Sequence, residues 1–304
     1  MTAAKRRVVI HERAGAMFSN LWSVTGFLRW AEKQSVTPVI DLSAAANRWV
    51  GPGANDAWGL YFRPVSDVDV TEIDRSEAEV FDGRPREFPT GEYSREPEYV
   101  RVFHQYIGFN LKTTAYIIPW EESLALYPKV LGVHFRGTDM KVAKSHWAPP
   151  TPFQIKHAVD IALDRSDFTH ILVATEDERA LQFMVRRYRH RVITTDSLRT
   201  SKPKKLVHLS SNIPQYRYFL GLQVLRDAQL LAGCAGLVSG HSNVSEHVQV
   251  MARDPFEVNL QIRRPRVDIA GSHPAQIALT NLLRNATTSK VLGPDFRLVD
   301  FSAS

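Results

Sequence analysis

Short apolar runs alternate with stretches of helical spacing along most of this chain. The runs are rich in β-branched residues, as in 130–135 and 169–175, and such runs are typical of strands buried on both faces of a parallel sheet. Between them, apolar residues recur every three or four positions, as in 153–163 and 179–188, which predicts amphipathic helices. The alternation predicts an α/β protein built on parallel strands.

The second half of the chain carries this alternation most clearly. Its predicted strands are 130–135, 169–175, 192–195 and 236–239, and its predicted helices are 153–163, 179–188, 216–231 and 244–251. The last residues, 287–304, are expected to pack back across the molecule as a terminal segment.

The first half begins with the same pattern and then departs from it. A strand at 6–12, helical spacing over 21–31 and a strand at 37–42 predict a right-handed parallel unit. The aromatic residues within 58–62 predict a hydrophobic anchor. The acidic segment 74–97 contains Pro and Gly, so we expect an exposed excursion there.

A domain boundary is expected after two aromatic-rich helical patterns at 97–109 and 111–126. Tyr127-Pro128 marks the crossover, because a helix rarely continues through the residue before a proline. The sequence therefore predicts an N-terminal domain over 1–128 and a C-terminal domain over 129–304, in agreement with the usual size of domains.

Polar side chains begin abruptly within the stretch 130–141, where its apolar run ends. His134, Arg136, Thr138 and Asp139 follow one another there, and Gly137 lets the backbone turn. In open α/β sheets ligands bind outside the carboxyl ends of the strands, and the guanidinium fork of an arginine suits a phosphate. We interpret Arg136 as a phosphate ligand, against the alternative of a surface ion pair with Asp139.

Other predicted strands of the second half also end in polar residues, which predicts one ligand crevice at their common edge. Backbone N–H groups at the start of the helix near Val244 are expected to face the same diphosphate as Arg136. The polar strand ends are His134 with Arg136, Thr175 to Asp177, Asp196, and Ser239 to Asn243.

Four segments of the second half, in this order and spacing, resemble a known family. The segments are Gly132-Val-His-Phe-Arg-Gly-Thr-Asp139, Leu172-Val-Ala-Thr-Glu-Asp177, Asp227 with Leu231-Ala-Gly-Cys234, and Val238-Ser-Gly-His-Ser-Asn243. Together they resemble the C-terminal domain of the inverting fucosyltransferases of the α-1,6 type, which include Nod-factor and N-glycan core enzymes, and their protein-O-fucosyltransferase relatives.

The resemblance implies a GT-B fold, with two doubly wound Rossmann-like domains facing an interdomain cleft. It implies that the acceptor binds on the side of the N-terminal domain and that the nucleotide sugar binds in the C-terminal domain. It implies metal-independent transfer of fucose from GDP-fucose, a donor substrate rather than a cofactor, to a glycan or glycoconjugate acceptor with inversion. The implied donor ligands are Arg136 at the β-phosphate, His134 at the nucleoside, Glu176 and Asp177 beside the donor pocket, Asp227 at the guanine edge, and Ser242 with Asn243 at the phosphates.

The chain departs from the family at two positions. Met140 follows Thr-Asp where the family usually has Lys, and Lys144 stands where α-1,6 members carry a carboxylate. The acceptor base therefore does not transfer from the family. Glu12, Asp139 and Glu176 are the candidates for a general base, and Arg136 is the candidate for stabilising the leaving group.

The totals are those of an ordinary globular chain. Of its 304 residues 44% are hydrophobic and 23% are charged, and the net charge of +6 favours an anionic ligand or surface, which includes peripheral contact with a membrane. The apolar runs are too short to cross a bilayer and no secretory signal is recognised, so we expect a cytoplasmic protein. The single cysteine, Cys234, is expected in the core.

Three other functions are weighed against a fucosyltransferase. A GT-B transferase could use another nucleotide sugar, and Lys144 favours a non-catalytic glycan- or nucleotide-binding module. The basic cluster at 186–191 suggests a nucleic-acid surface, but cations at a helix C-terminus explain it better and no nucleic-acid motif accompanies it. The Asp67-Val-Asp69 segment matches a metal motif by only two residues, and we predict no metal site.

Overall fold

A computed structural model describes residues 7–12, 16–43, 56–74, 78–81, 93–136, 149–201, 214–263 and 297–302. The chain divides into two compact units. The first comprises Met1–Pro119, Ser211–Leu225 and Gln249–Met251, and the second comprises Trp120–Ser210, Arg226–Val248 and Ala252–Ser304. The proposed boundary between residues 128 and 129 stays a prediction.

The first unit contains a three-stranded parallel sheet in the order β2-β1-β3. Its strands are β1 (Val8–His11), β2 (Thr37–Ile40) and β3 (Glu79–Phe81). The long helix α1 (Met17–Gln34) connects β1 to β2 and is buried along most of its length. The ring of Phe27 on α1 lies edge-on to the ring of His11 on β1, with centroids 5.2 Å apart. The predicted parallel unit of strand, helix and strand is confirmed.

Strand β3 corrects one expectation for the first unit. It lies inside the segment 74–97 that was expected to be an exposed excursion, and it pairs with β1. Two of its three residues are nevertheless exposed, since it is an edge strand. Residues 75–77 and 82–92 lie outside the described part of the chain.

The aromatic anchor predicted within 58–62 is confirmed. Trp58, Tyr61 and Phe62 are at most 3% exposed, and the rings of Trp58 and Phe62 stack with centroids 4.5 Å apart. Two helices follow as predicted, α2 (Pro97–Tyr106) and α3 (Leu111–Leu124).

The second unit contains a six-stranded sheet in the order β6-β5-β4-β7-β8-β9. The first five strands are parallel and β9 is antiparallel to β8. The strands are β4 (Val130–Phe135), β5 (His170–Thr175), β6 (Val192–Ile193), β7 (Gly236–Gly240), β8 (Val258–Arg263) and β9 (Arg297–Asp300). The helices α4 (Pro152–Arg165) and α5 (Glu178–Tyr188) belong to this unit, as do the end of α6 (Pro214–Ala232) from Arg226 onward and the start of α7 (Asn243–Met251) up to Val248.

Helices cover both faces of this sheet. Residues of α4 and α5, including Ile155, Val159 and Met184, pack with Leu131 and Val133 in one apolar core. On the opposite face the last turns of α6 approach β4 so closely that a Cβ at Gly132 would lie 3.0 Å from the side chain of Leu231. A side chain at position 132 would therefore require the side chains of Leu231 and Cys234 to shift by a few tenths of an ångström.

Local sequence signals explain where these elements begin. Thr151 caps α4 through a reciprocal pair of hydrogen bonds with Gln154, and Pro152 occupies the first helical position. Cys234 is buried beneath β4, as expected, and burial raises the pKa of its thiol. Among the described residues no helix is both long and apolar enough to cross a membrane.

Candidate active site at the carboxyl edge of the second sheet

The strand order of the second unit brings the ends of β4 and β7 together. Those two strands are adjacent, and the chain leaves them toward opposite ends of the sheet, since β5 lies on one side and β8 on the other. Such a topological switch point opens a crevice at the carboxyl edge, where α/β proteins bind their ligands. Arg136 follows β4 at this edge, and the turn that begins helix α7 follows β7.

Arg136 and His134 occupy different environments at this edge. All six residues of β4 are buried, whereas Arg136, the next residue, is partly exposed. His134 is buried on the sheet face that α6 covers, and no described residue hydrogen-bonds its Nδ1. Burial, followed by the positive charge of Arg136, lowers the pKa of His134 to about 3, so its ring is neutral at physiological pH.

A second buried polar atom lies beside His134. Ser239 is its register partner on β7, and the Oγ of Ser239 also has no hydrogen-bond partner among the described residues. Buried polar groups are normally paired, so this position is one where a ligand or water is expected to bind. His134 and Ser239 therefore each present one polar atom, near the ends of β4 and β7, that a ligand or water is expected to contact.

Ser242 and Asn243 form the start of helix α7. The Oγ of Ser242 accepts a hydrogen bond of 3.1 Å from the Ser245 N–H, and the Oγ of Ser245 accepts one of 2.9 Å from the Ser242 N–H. Asn243 is the first residue of the helix and is exposed. The first turn of a helix presents N–H groups and a partial positive charge, so this end of α7 suits an anion.

Glu176 and Asp177 follow strand β5. The carboxylate of Asp177 caps helix α5 by accepting hydrogen bonds from the N–H groups of Arg179, at 3.0 Å, and Ala180, at 3.3 Å. Asp177 thus fixes the start of α5, whereas Glu176 is partly exposed at the edge. Their support of a donor pocket stays a prediction.

Asp227 lies on α6 within a dense polar cluster. Its carboxylate accepts hydrogen bonds from the hydroxyls of Thr195, at 2.9 Å, and Ser197, at 2.7 Å, and pairs with the guanidinium of Arg226 at 3.0 Å. Only 14% of the Asp227 side chain is exposed. Contact of this carboxylate with a guanine edge stays a prediction, and any such contact must share it with these partners.

Sequence reasoning missed Arg226, which is the largest fully buried side chain of the described residues. Its guanidinium pairs with Asp196 at 2.5 Å and lies 4.3 Å from the ring centroid of Trp120. An Arg-Asp pair set among buried leucines of a helix is the signal that could have found it, because buried charges are paired.

The remaining candidates lie in the first unit or outside the described residues. Glu12 follows β1 in the first unit and is partly exposed. Asp139, Met140 and Lys144 lie outside the described residues. Asp69 of the two-residue metal match caps a short 3-10 helix by accepting from the Thr71 N–H at 2.8 Å, and the described residues contain no cluster suited to a metal ion.

Acid is expected to destabilise the fold through two buried histidines. Burial lowers the pKa of His134 to about 3 and that of His247 to about 4, from 6.5 in an unfolded chain. As the pH falls below 6.5, the unfolded state therefore binds protons that the folded state does not. Between pH 6.5 and pH 5 the free energy of unfolding should fall by about 2 kcal/mol for each histidine, as measured by urea titration.

The variant His247→Gln isolates one of these contributions, and His190→Gln, at an exposed position of the same unit, is its control. The loss of stability between the two pH values should shrink in the first variant and persist in the second. Equal losses in both variants would contradict the assignment of a neutral, buried His247.

The fold of this chain is that of solved fucosyltransferases. NodZ α-1,6-fucosyltransferase co-crystallised with GDP superposes with a TM-score of 0.60 at 17% identity, covering 86% of this chain and 96% of that one. The same enzyme soaked with GDP-fucose gives 0.60 at 15% identity, covering 97% and 99%. The α/β fold expected from the family resemblance is thus confirmed.

Two further solved structures are similar to this chain in fold. NodZ from Bradyrhizobium gives a TM-score of 0.60 at 16% identity, over 85% of this chain and 96% of that one. A variant of Arabidopsis thaliana FUT1 in complex with GDP gives 0.51 at 9% identity, over 89% and 73%. No model of a known protein family and no curated protein sequence matches the chain.

Proposed function

We propose that this protein is a glycosyltransferase that transfers fucose from GDP-fucose to a glycan or glycoconjugate. The observation that carries the proposal is the adjacency of β4, which is followed by Arg136, and β7, which is followed by the first turn of α7. A cation and a helix N-terminus at one switch point suit a diphosphate. The fold shared with NodZ, solved with GDP and with GDP-fucose, supports the same choice.

The chemistry follows from what such a site can stabilise. The acceptor oxygen attacks the anomeric carbon, the bond from that carbon to the diphosphate breaks through an oxocarbenium-like transition state, and the configuration inverts. Negative charge then accumulates on the leaving diphosphate. The guanidinium of Arg136 and the N–H groups of α7 are suited to stabilise that charge, and this arrangement needs no metal ion.

The other site residues have separate functions in this proposal. His134 contacts the nucleoside, Asp227 accepts from the guanine edge, and Ser242 and Asn243 hold the phosphates. Glu176 and Asp177 support the donor pocket. Glu12 and Asp139 are proposed as catalytic carboxylates, with Glu176 as a third candidate for the base that receives the proton of the acceptor hydroxyl.

The proposal also covers the domain arrangement, the cellular location and the binding partners of the protein. It includes the GT-B arrangement of two Rossmann-like domains, a cytoplasmic location and no nucleic-acid partner. Contact with a membrane surface through the basic residues of α5 is a further prediction. The exposed Arg186 and Arg187 are the expected contacts, and both lie in the last turn of that helix, as the sequence predicted.

The alternative supported by a specific observation is a binding module without catalysis. Lys144 replaces the carboxylate that α-1,6 members carry, so an acceptor base is absent at that position of the sequence. A transferase that uses another nucleotide sugar is the second alternative. Both differ from the main proposal in which ligand binds and in whether the sugar is transferred.

Thermal stabilisation by nucleotides distinguishes these functions. A ligand that binds only the folded state at a concentration of about 100 times its Kd stabilises the protein by about 2.7 kcal/mol. GDP and GDP-fucose should therefore raise Tm by several degrees, while UDP and ADP at the same concentration should not, with or without a chelator. Activity is then measured as release of GDP in the presence of acceptor glycans.

The results of these binding and activity measurements distinguish the proposed functions from one another. Stabilisation by UDP or ADP in place of GDP would assign a different donor. Binding of GDP-fucose with neither hydrolysis nor transfer would favour the binding module, and loss of binding in chelator would contradict metal independence.

A further inference from the structure

The segment 194–200, which we call the β6 loop, follows strand β6 at the carboxyl edge of the second sheet. Strand β6 is parallel to β5, so the loop leaves the sheet at the edge where β4 and β7 also end. It lies two strands from β4, which is about 10 Å at the usual spacing of neighbouring strands. The β6 loop therefore shares an edge with the crevice between β4 and β7.

Hydrogen bonds brace the backbone of the β6 loop. The guanidinium of Arg199 donates to the carbonyl oxygens of Thr195, at 2.8 Å, and Ser197, at 3.0 Å. The Thr200 N–H donates to the carbonyl oxygen of Glu176 at 2.9 Å, so the end of the loop is joined to the residue that follows β5. The backbone of the loop is therefore fixed before any ligand binds.

Asp196 is the acidic residue of the β6 loop. Its side chain is 66% exposed, and one of its carboxylate oxygens pairs with the guanidinium of Arg226 on α6. Arg226 is fully buried and also pairs with Asp227. Asp196 is thus an accessible carboxylate whose position is set by a buried cation.

Stability accounts for one of the two ion pairs of Arg226. The pair with Asp227 is shielded from water, so each charge there needs the other. The pair with Asp196 is different, because water can replace most of what it supplies at an exposed carboxylate. A function in ligand binding does account for it, since an acceptor that is already oriented loses less freedom when a ligand binds.

Asp196 keeps more capacity to accept hydrogen bonds than Asp227. The Asp227 carboxylate already accepts from two hydroxyls of the β6 loop and pairs with Arg226, and only 14% of its side chain is exposed. An ionised carboxylate has about four acceptor positions on its two oxygens. The accessible positions of Asp196 therefore suit a ligand that carries N–H donors.

A guanine base carries such donors in a suitable number. One carboxylate can accept from its N1–H and from one hydrogen of its 2-amino group, which leaves the second hydrogen of that group for another acceptor. Adenine and uracil have no amino group at this position. A nucleoside diphosphate can reach from the crevice between β4 and β7 to the β6 loop, because its ribose separates the base from the phosphates.

We propose that Asp196 is a specificity-determining residue of the donor site and accepts a hydrogen bond from the 2-amino group of guanine, with Arg226 as its positioning residue. This inference rests on the proposed function and deepens it by naming the group of the base that is recognised. Neither the family resemblance nor the fold comparisons assign a function to Asp196 or to Arg226.

Comparison of GDP with inosine diphosphate (IDP) isolates this contact, because IDP lacks the 2-amino group and is otherwise identical. Both nucleotides carry the same diphosphate, so a general change of charge in the protein affects their binding equally. Wild-type protein should bind GDP about tenfold more tightly than IDP, as expected for one hydrogen bond to a charged acceptor. Calorimetric titration measures both affinities.

Asp196→Asn and Asp196→Ser remove the charged acceptor. In both variants the preference for GDP over IDP should fall to about twofold or less, while the affinity for IDP changes little. The matched control is Asp164→Asn, which removes the same charge from an exposed position in the last turn of α4. It should keep the full preference, and melting curves establish that each variant is folded.

Arg226→Lys tests the positioning residue. An ammonium keeps the positive charge but cannot hold two carboxylates in the fixed geometry of a guanidinium. The preference for GDP over IDP should therefore fall while binding of IDP persists. Loss of the fold alone would abolish the binding of both nucleotides.

Each result of the GDP and IDP titrations either supports or overturns the proposal. A preference for GDP that is lost in a folded Asp196 variant and kept in Asp164→Asn supports it. Wild-type protein that binds GDP without preference over IDP, or a folded Asp196 variant with an unchanged preference, overturns it and leaves the proposed function standing. Failure of both Asp196 variants to fold also overturns it, since the ion pair would then serve the fold. Failure of the wild-type protein to bind GDP overturns both.

Discussion

Arg136→Ala is expected to lower kcat/KM for sugar transfer by at least about a hundredfold, the usual effect of removing one preorganised donor from developing negative charge. Arg136 is the first residue after the fully buried strand β4 and is itself partly exposed, so its replacement should change Tm little. Transfer is measured with saturating acceptor, and folding by melting curves. Arg136→Lys should recover only part of the activity, because an ammonium cannot form the paired hydrogen bonds of a guanidinium.

Arg165→Ala is the matched control in the same unit. Arg165 forms an exposed ion pair with Asp300 at the edge strand β9, and such pairs contribute little to stability. Its activity should equal that of the wild type. Near-normal transfer in Arg136→Ala, or failure of that variant to fold, would contradict the proposal that Arg136 stabilises the leaving diphosphate.

Arg226→Met is expected to cause the largest loss of stability, about 3 kcal/mol, because removing one partner of a buried ion pair leaves the other charge uncompensated. The change removes the ion pairs with Asp196 and Asp227 and the contact of the guanidinium with the ring of Trp120. Met fills a similar volume, so the loss reports the charge rather than a cavity. Unfolding in urea, followed by tryptophan fluorescence, measures it.

Asp196→Asn provides the comparison within the same cluster. The Asp196 side chain is 66% exposed, so water replaces much of what the ion pair supplies, and the cost should be below about 1 kcal/mol. If Arg226→Met were as stable as the wild type, the ion pairs of Arg226 would not contribute to the free energy of unfolding.

The sequence predicted most elements of the second unit because its strands are continuous apolar runs. The run that forms β5 could be recognised without knowledge of its neighbours. Strand β8 was missed because the buried polar residues Asn259 and Gln261 interrupt its apolar pattern. Gln261 is tolerated there because Glu246, which is remote in the sequence, accepts its hydrogen bond. Strand β3 was missed because it is a three-residue, mostly exposed edge strand.

The residues of the candidate site also differ in whether the sequence could predict them. Arg136, Ser242 and Asn243 could be proposed from the sequence because each directly follows a strand or begins a helix. The partners of Arg226 could not, since the packing of α6 brings Asp196 and Trp120 to it from distant parts of the sequence. Asp227 shows the limit of family resemblance, because its contacts with Thr195 and Ser197 depend on a loop that the resemblance does not describe.

A crystal structure of the protein in complex with GDP tests the central claim most directly. We expect the β-phosphate within about 2.7–3.1 Å of the guanidinium of Arg136 and of N–H groups in the first turn of α7, the distance of charge-assisted hydrogen bonds. A diphosphate bound away from the ends of β4 and β7, or an Arg136 side chain turned away from it, would contradict the claim.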